Sequence, residues 1–129
     1  MGIMPEYRWN TKHILVVEDD ESATFVVGDI LKNTGVHVAF VTGGEEAVKY
    51  ITEHPETDLI LMDIHLPGMD GITATRKIKS IAENVVVIAQ TAYAFSVEYR
   101  EAENAGCVAL LTKPLNPAML LEKINSYLA

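Results

Sequence analysis

The chain has 129 residues, 49% hydrophobic and 22% charged, with a net charge of −8 and one cysteine. That is the length of one domain, with enough apolar residues for one core; it excludes a disordered chain and an internal disulfide. The acidic balance argues against direct contact with nucleic acid, whose phosphates need a basic face, and the lone thiol fits a reducing, cytoplasmic compartment.

Residues 1–11 read as a short extension or linker before a domain over 12–129, with Tyr7 and Trp9 as candidates to pack on it. They lack the apolar stretch of a signal peptide. The first apolar run is Ile14–Val17, and it ends in Glu18-Asp19-Asp20. A helical pattern follows from about Ser22 to Asn33, carried by Val26, Val27, Ile30 and Leu31. Asp20 or Ser22 is its expected cap and Gly35 its stop. The second run, Val36–Val41, leads through Thr42-Gly43-Gly44 into a short helix near Glu45–Glu53. The third run, Leu59-Ile60-Leu61-Met62-Asp63, sets four apolar residues before a carboxylate. Turn residues follow at once, from Ile64 to Gly71. Such a run suits a strand buried on both faces. A helix is expected near Ile72–Ser80. The fourth run, Val85–Ala89, is followed by Gln90-Thr91 and a helix near Ser96–Ala105. The fifth, Val108–Leu111, is followed by Thr112-Lys113-Pro114. The last helix begins near Asn116, with Pro117 at an entry position and Leu120, Leu121, Ile124 and Leu128 as its apolar stripe. No apolar run is long enough to cross a bilayer, so no membrane insertion is expected.

Strands alternating with helices predict an α/β fold: a doubly wound five-stranded parallel sheet, helices on both faces, right-handed crossovers. Ligands of such sheets bind outside the carboxyl ends of the strands. There the sequence places Glu18, Asp19 and Asp63, the hydroxyl of Thr91 and the ammonium of Lys113. Each has a plain reading alone: a strand-end solubiliser, a helix-start charge, a turn residue, a solvated lysine. Together at four strand ends they read differently. Crowded carboxylates repel and raise one another's pKa, and a hard cation such as Mg²⁺ relieves them. A carboxylate nucleophile, a metal, a hydroxyl donor and an ammonium fit phosphoryl transfer, which needs positioning and charge neutralisation.

The segments Ile14–Glu21, Asp58–Asp63, Leu66–Gly71, Ala89–Ala94 and Leu111–Leu115 resemble, in order and spacing, the receiver domains of two-component response regulators. The resemblance spans about residues 12–128. It implies a flavodoxin-like strand order, 2-1-3-4-5. It implies that Asp63 accepts a phosphoryl group from a phosphohistidine, on a histidine kinase or a histidine phosphotransfer domain. Asp19 then matches the main Mg²⁺ carboxylate, Glu18 its acidic neighbour, and the backbone carbonyl of His65 a further ligand. Thr91 matches the switch hydroxyl and Lys113 the ammonium that pairs with the phosphoryl group. The Lys113–Pro114 bond matches one that is cis in the family. The function implied is signalling: a domain that catalyses its own phosphorylation and slow dephosphorylation and switches partner binding, not a metabolic enzyme. His65 and Tyr93, two residues beyond Asp63 and Thr91, are candidates to shield the phosphoryl group from water, although the His65 ring reads as exposed on its loop. The chain departs from the family at Leu110, where an aromatic residue that reports phosphorylation often stands.

Three other readings compete. A small haloacid-type aspartate phosphatase also uses a strand-end Asp with Mg²⁺, but has a second Asp where this chain has His65. A flavin-binding flavodoxin needs a phosphate loop after the first strand, where Glu18-Asp19-Asp20-Glu21 would repel phosphate. A degenerate receiver that works by contact alone has no need for the full acid, Thr and Lys set.

Overall fold

A computed structural model describes residues 6–93 and 96–128. Residues 1–5 of the expected extension, Ala94 and Ala129 lie outside them. The strands are β1 (His13–Val17), β2 (His37–Val41), β3 (Leu59–Asp63), β4 (Val86–Thr91) and β5 (Ala109–Thr112). The helices are α1 (Glu21–Leu31), α2 (Gly44–Glu53), α3 (Gly71–Ile81), α4 (Ser96–Ala105) and α5 (Pro117–Leu128). All strand pairs are parallel, and the order is β2-β1-β3-β4-β5, as expected.

The pleat divides the apolar runs between two cores. Leu15, Val17, Ile60, Met62, Val87 and Ala89 face a core closed by α2, α3 and α4. Ile14, Val16, Leu59, Leu61 and Ile88 face the other, closed by α1 and α5. This is why β3 reads as an unbroken apolar run: its residues are buried on both sides, Asp63 included. Burying one such Leu or Ile contributes roughly 1.5–3 kcal/mol.

Trp9 also lies in the second core, 5% exposed. Its indole N–H donates to Asn125 Oδ1 on α5 (3.1 Å), Tyr7 stacks on its ring, and its backbone N–H donates to the Thr34 carbonyl (2.8 Å). Of the two possibilities left open for these aromatic residues, packing is the one realised.

Local chemistry sets the element ends, with small shifts from expectation. Asp20, not Ser22, caps α1, accepting the Ala23 N–H at 2.9 Å. The helix stops at Leu31, short of Asn33, because the Thr34 hydroxyl donates to the Leu31 carbonyl (2.7 Å) and tightens the chain into a 3₁₀ turn. Gly35 then takes the left-handed conformation, φ 76°, that ends it. β4 runs on through Gln90 and Thr91, because these residues still pair with Asp63 and Thr112. β5 starts one residue later than expected, at Ala109. Gly71 is required by close approach: a Cβ there would collide with the Asp63 carbonyl. The start of α3 is thereby held against the end of β3. Asn116 accepts the Met119 N–H at 3.1 Å and caps α5, with Pro117 first in the helix. The Lys113–Pro114 bond is cis.

Asp70 caps α3, accepting the Thr73 N–H at 2.9 Å and the Thr73 hydroxyl at 3.0 Å. Partial burial pushes its carboxyl up, but these bonds outweigh burial and hold it below the usual range. Asp70→Ala is therefore expected to lower unfolding stability by about 1 kcal/mol at neutral pH, read by urea titration. A pKa lower in the folded than in the unfolded state stabilises above the ordinary carboxylate range, and the benefit fades as pH falls through the folded value. The gap between wild type and variant should close there; a gap that persists into strong acid would show that the carboxylate is not the cap.

Candidate functional site

The register brings the predicted strand ends to one edge. Val17 lies beside Met62, so Glu18 follows level with Asp63, while Asp63 pairs with Gln90 and Thr91 with Thr112. Lys113, one residue past β5, is anchored by its N–H to the Thr91 carbonyl at 2.8 Å. From there its ammonium reaches across β4 and β3. Lys113 Nζ lies 2.7 Å from Glu18 Oε1 and 3.1 Å from Asp63 Oδ2.

Both carboxylates are buried, Glu18 at 2% and Asp63 at 4% exposure. Asp63 Oδ1 accepts the His65 N–H (2.9 Å), and Glu18 Oε2 accepts the Asp20 N–H (3.2 Å). Burial pushes the Glu18 carboxyl up; the Lys113 hydrogen bond pulls it back, the neighbouring Asp63 carboxylate pushes it up again, and it stands above its ordinary value. Burial alone would lower Lys113, but its bonds to Glu18 and Asp63 outweigh burial and hold it above its ordinary value. Two buried acids and one cation leave negative charge in excess.

Asp19 adds a third carboxylate at the exposed lip. Oxygens of Glu18, Asp19 and Asp63 lie within 4.8 Å of one another. Hard oxygen donors, excess negative charge and one open side fit a hard divalent cation that keeps part of its water shell.

Thr91 is fully buried, and its hydroxyl faces a different set of groups. It donates to Glu98 Oε2 on α4 (3.0 Å) and accepts the Tyr93 N–H (3.0 Å). The His65 Nε2 atom lies 3.1 Å from the same hydroxyl and 3.1 Å from Glu98 Oε1. The His65 ring, expected to be exposed on its loop, is half-exposed and engaged; it also meets the Tyr93 ring edge-on, centroids 5.7 Å apart. Of the predicted site residues, Glu18, Asp63 and Lys113 are in direct contact, Asp19 flanks them, and His65 touches Asp63 through its backbone. Glu98 was not foreseen. An acid in the first turn of a helix reads as a charge favoured by the macrodipole, and nothing in its spacing distinguishes it from Glu45 or Glu46.

Replacing Lys113 by Ala leaves two buried carboxylates facing each other without a cation. The expected loss is about 1–3 kcal/mol in unfolding stability, read by urea titration. Mg²⁺ at tenfold excess over its Kd should raise wild-type stability by about 1.4 kcal/mol, and Asp19→Asn should lose most of that increment. A melting temperature indifferent to Mg²⁺ would remove the metal reading.

The model of the response regulator receiver domain family matches residues 14–125. The polar-differentiation response regulator DivK of Brucella ovis is 35% identical over 120 residues, covering 92% of this chain and 97% of DivK. A CheY-like receiver domain protein from Methanospirillum hungatei superposes with TM-score 0.85 at 34% identity, covering 91% of this chain and 93% of that one. CheY of Borrelia burgdorferi, in a complex with CheX, BeF₃ and Mg²⁺, gives TM-score 0.86 at 28% identity, covering 92% and 90%. With the family model matching most of its length and the fold shared throughout, the chain belongs to the response regulator receiver domains of two-component signalling.

Proposed function

We propose that this receiver domain takes a phosphoryl group from a phosphohistidine onto Asp63 and that the modification switches its affinity for a partner. The observation that carries this reading is the Lys113 ammonium bridging buried Glu18 and Asp63 at the carboxyl end of the sheet. In the transfer, a carboxylate oxygen of Asp63 bonds to phosphorus as the P–N bond to the donor imidazole breaks. The nitrogen keeps the bonding pair and takes up a proton from water. Asp63 needs no base, since an ionised carboxylate is already the nucleophile. Lys113, already within reach of Asp63, moves its contact to a phosphoryl oxygen and neutralises part of the incoming charge.

Asp19, Glu18, Asp63 and the His65 carbonyl are the groups proposed to hold Mg²⁺. When bound, the metal supplies charge neutralisation between the carboxylates and the phosphoryl oxygens. BeF₃ mimics a phosphoryl group, and the Borrelia CheY carries it together with Mg²⁺, which supports the same chemistry here. We assign to His65 and Tyr93, whose rings meet edge-on, the role of limiting water's access to the acyl phosphate and so setting the rate of its hydrolysis. The donor implied is a histidine kinase or a histidine phosphotransfer domain.

Incubation with Mg²⁺ and a small acyl phosphate, followed by intact-mass measurement, tests this. The expected result is a gain of one phosphoryl group, abolished in Asp63→Asn. No gain, or a gain retained in that variant, would overturn the assignment, and steady turnover of phosphomonoesters would point instead to a phosphatase.

A further inference from the structure

We infer that Glu98 is a positioning residue that holds the Thr91 hydroxyl out of the acid pocket, so that phosphorylation must displace Glu98 and, with it, the start of α4. The inference rests on the reading of Asp63 as phosphoacceptor and adds a competitor to it.

A threonine hydroxyl has a single proton to give. Here that proton is directed at Glu98 Oε2, 3.0 Å away. The oxygen's acceptor side is taken by the Tyr93 N–H and by His65 Nε2. Because Thr91 has already committed its proton, the Nε2 position of His65 must be the donor, shared between the Thr91 oxygen and Glu98 Oε1 at 3.1 Å each. Among the described residues, every hydrogen bond of the Thr91 hydroxyl runs to this group. None runs to Asp63, Glu18 or Lys113, which satisfy one another.

The hydroxyl cannot serve both sites. A phosphoryl group on Asp63 presents strong acceptor oxygens, and to donate to one of them Thr91 must release Glu98. Both claimants are anions, so the Glu98 carboxylate opposes phosphorylation twice: it occupies the donor and it adds negative charge beside the pocket. Once released, Glu98 keeps only the His65 contact to tie it to the site. It sits in the first turn of α4 between the exposed residues Val97 and Tyr99, so its release changes the surface that α4 presents. The Thr91–Glu98 bond thus links the acid pocket to α4 directly, in a chain where position 110 holds Leu rather than an aromatic ring.

The test is the affinity for beryllofluoride with saturating Mg²⁺, by calorimetry, in wild type, Glu98→Ala, Thr91→Ala and the double variant. Glu98→Ala is expected to tighten binding about tenfold, near the low end of the worth of one hydrogen bond to a charged group. In the Thr91→Ala background the same change should tighten binding several-fold less, because only the charge of Glu98 is then left to remove. Glu98→Met, which removes both the charge and the acceptor oxygens at similar size, carries the same comparison should the alanine variant fail to fold. Unchanged or weaker binding in Glu98→Ala overturns the inference, as does equal tightening with and without the Thr91 hydroxyl. Absence of binding by every protein, wild type included, overturns the assignment of Asp63 itself and takes this inference with it.

Discussion

Two carboxylates and one ammonium share a nearly dry corner at the carboxyl end of the sheet, and the site depends on their balance. Taking Glu18 and Asp63 out of water costs several kcal/mol per ion unless partners replace the lost hydration. Lys113 is the only cation within hydrogen-bond reach of them among the described residues, and it gets there only because β5 lies two strands from β3 and a lysine follows its end. The parallel order is therefore more than scaffold. It fixes how far the ammonium must reach and which acids it meets first. The corner stays net negative, so it remains attractive to a further cation and poised to respond to any change of charge at Asp63.

Much of this was legible in the chain because strand ends announce themselves. An apolar run buried on both faces has no reason to close on an acid, and Leu59-Ile60-Leu61-Met62-Asp63 does. Glu18, Thr91 and Lys113 were readable for the same reason, each following its own run. The sheet then brings together what topology places at one edge, without any long-range signal being needed. Asp20 and Pro117 were likewise legible, since capping and helix entry are local chemistry.

What was not legible depends on how separate elements meet. The Glu98 carboxylate finds Thr91 only because α4 packs with its first turn over the end of β4, and no local pattern records that. The partners of the His65 ring are hidden for the same reason, since a loop residue followed by Leu-Pro-Gly carries no sign of the hydroxyl and carboxylate that converge on it. Trp9 lies before the first strand, where neither period nor motif says whether an aromatic packs or hangs free. Its partner Asn125 is 116 positions away in sequence.

That last contact bears on where the folding unit starts. The match to the family begins at residue 14, yet the second core already includes Trp9, tied by its backbone to the turn after α1 and by its indole N–H to α5. Deleting a buried aromatic side chain costs roughly 3–5 kcal/mol, a large share of the 5–15 kcal/mol that holds a typical domain together. A fragment cut at the family boundary would keep all the charged chemistry and still be short of a keystone. Excision sites, fusions to other proteins and tags should therefore be set upstream of Tyr7, so that the segment leading into β1 stays with the domain it closes.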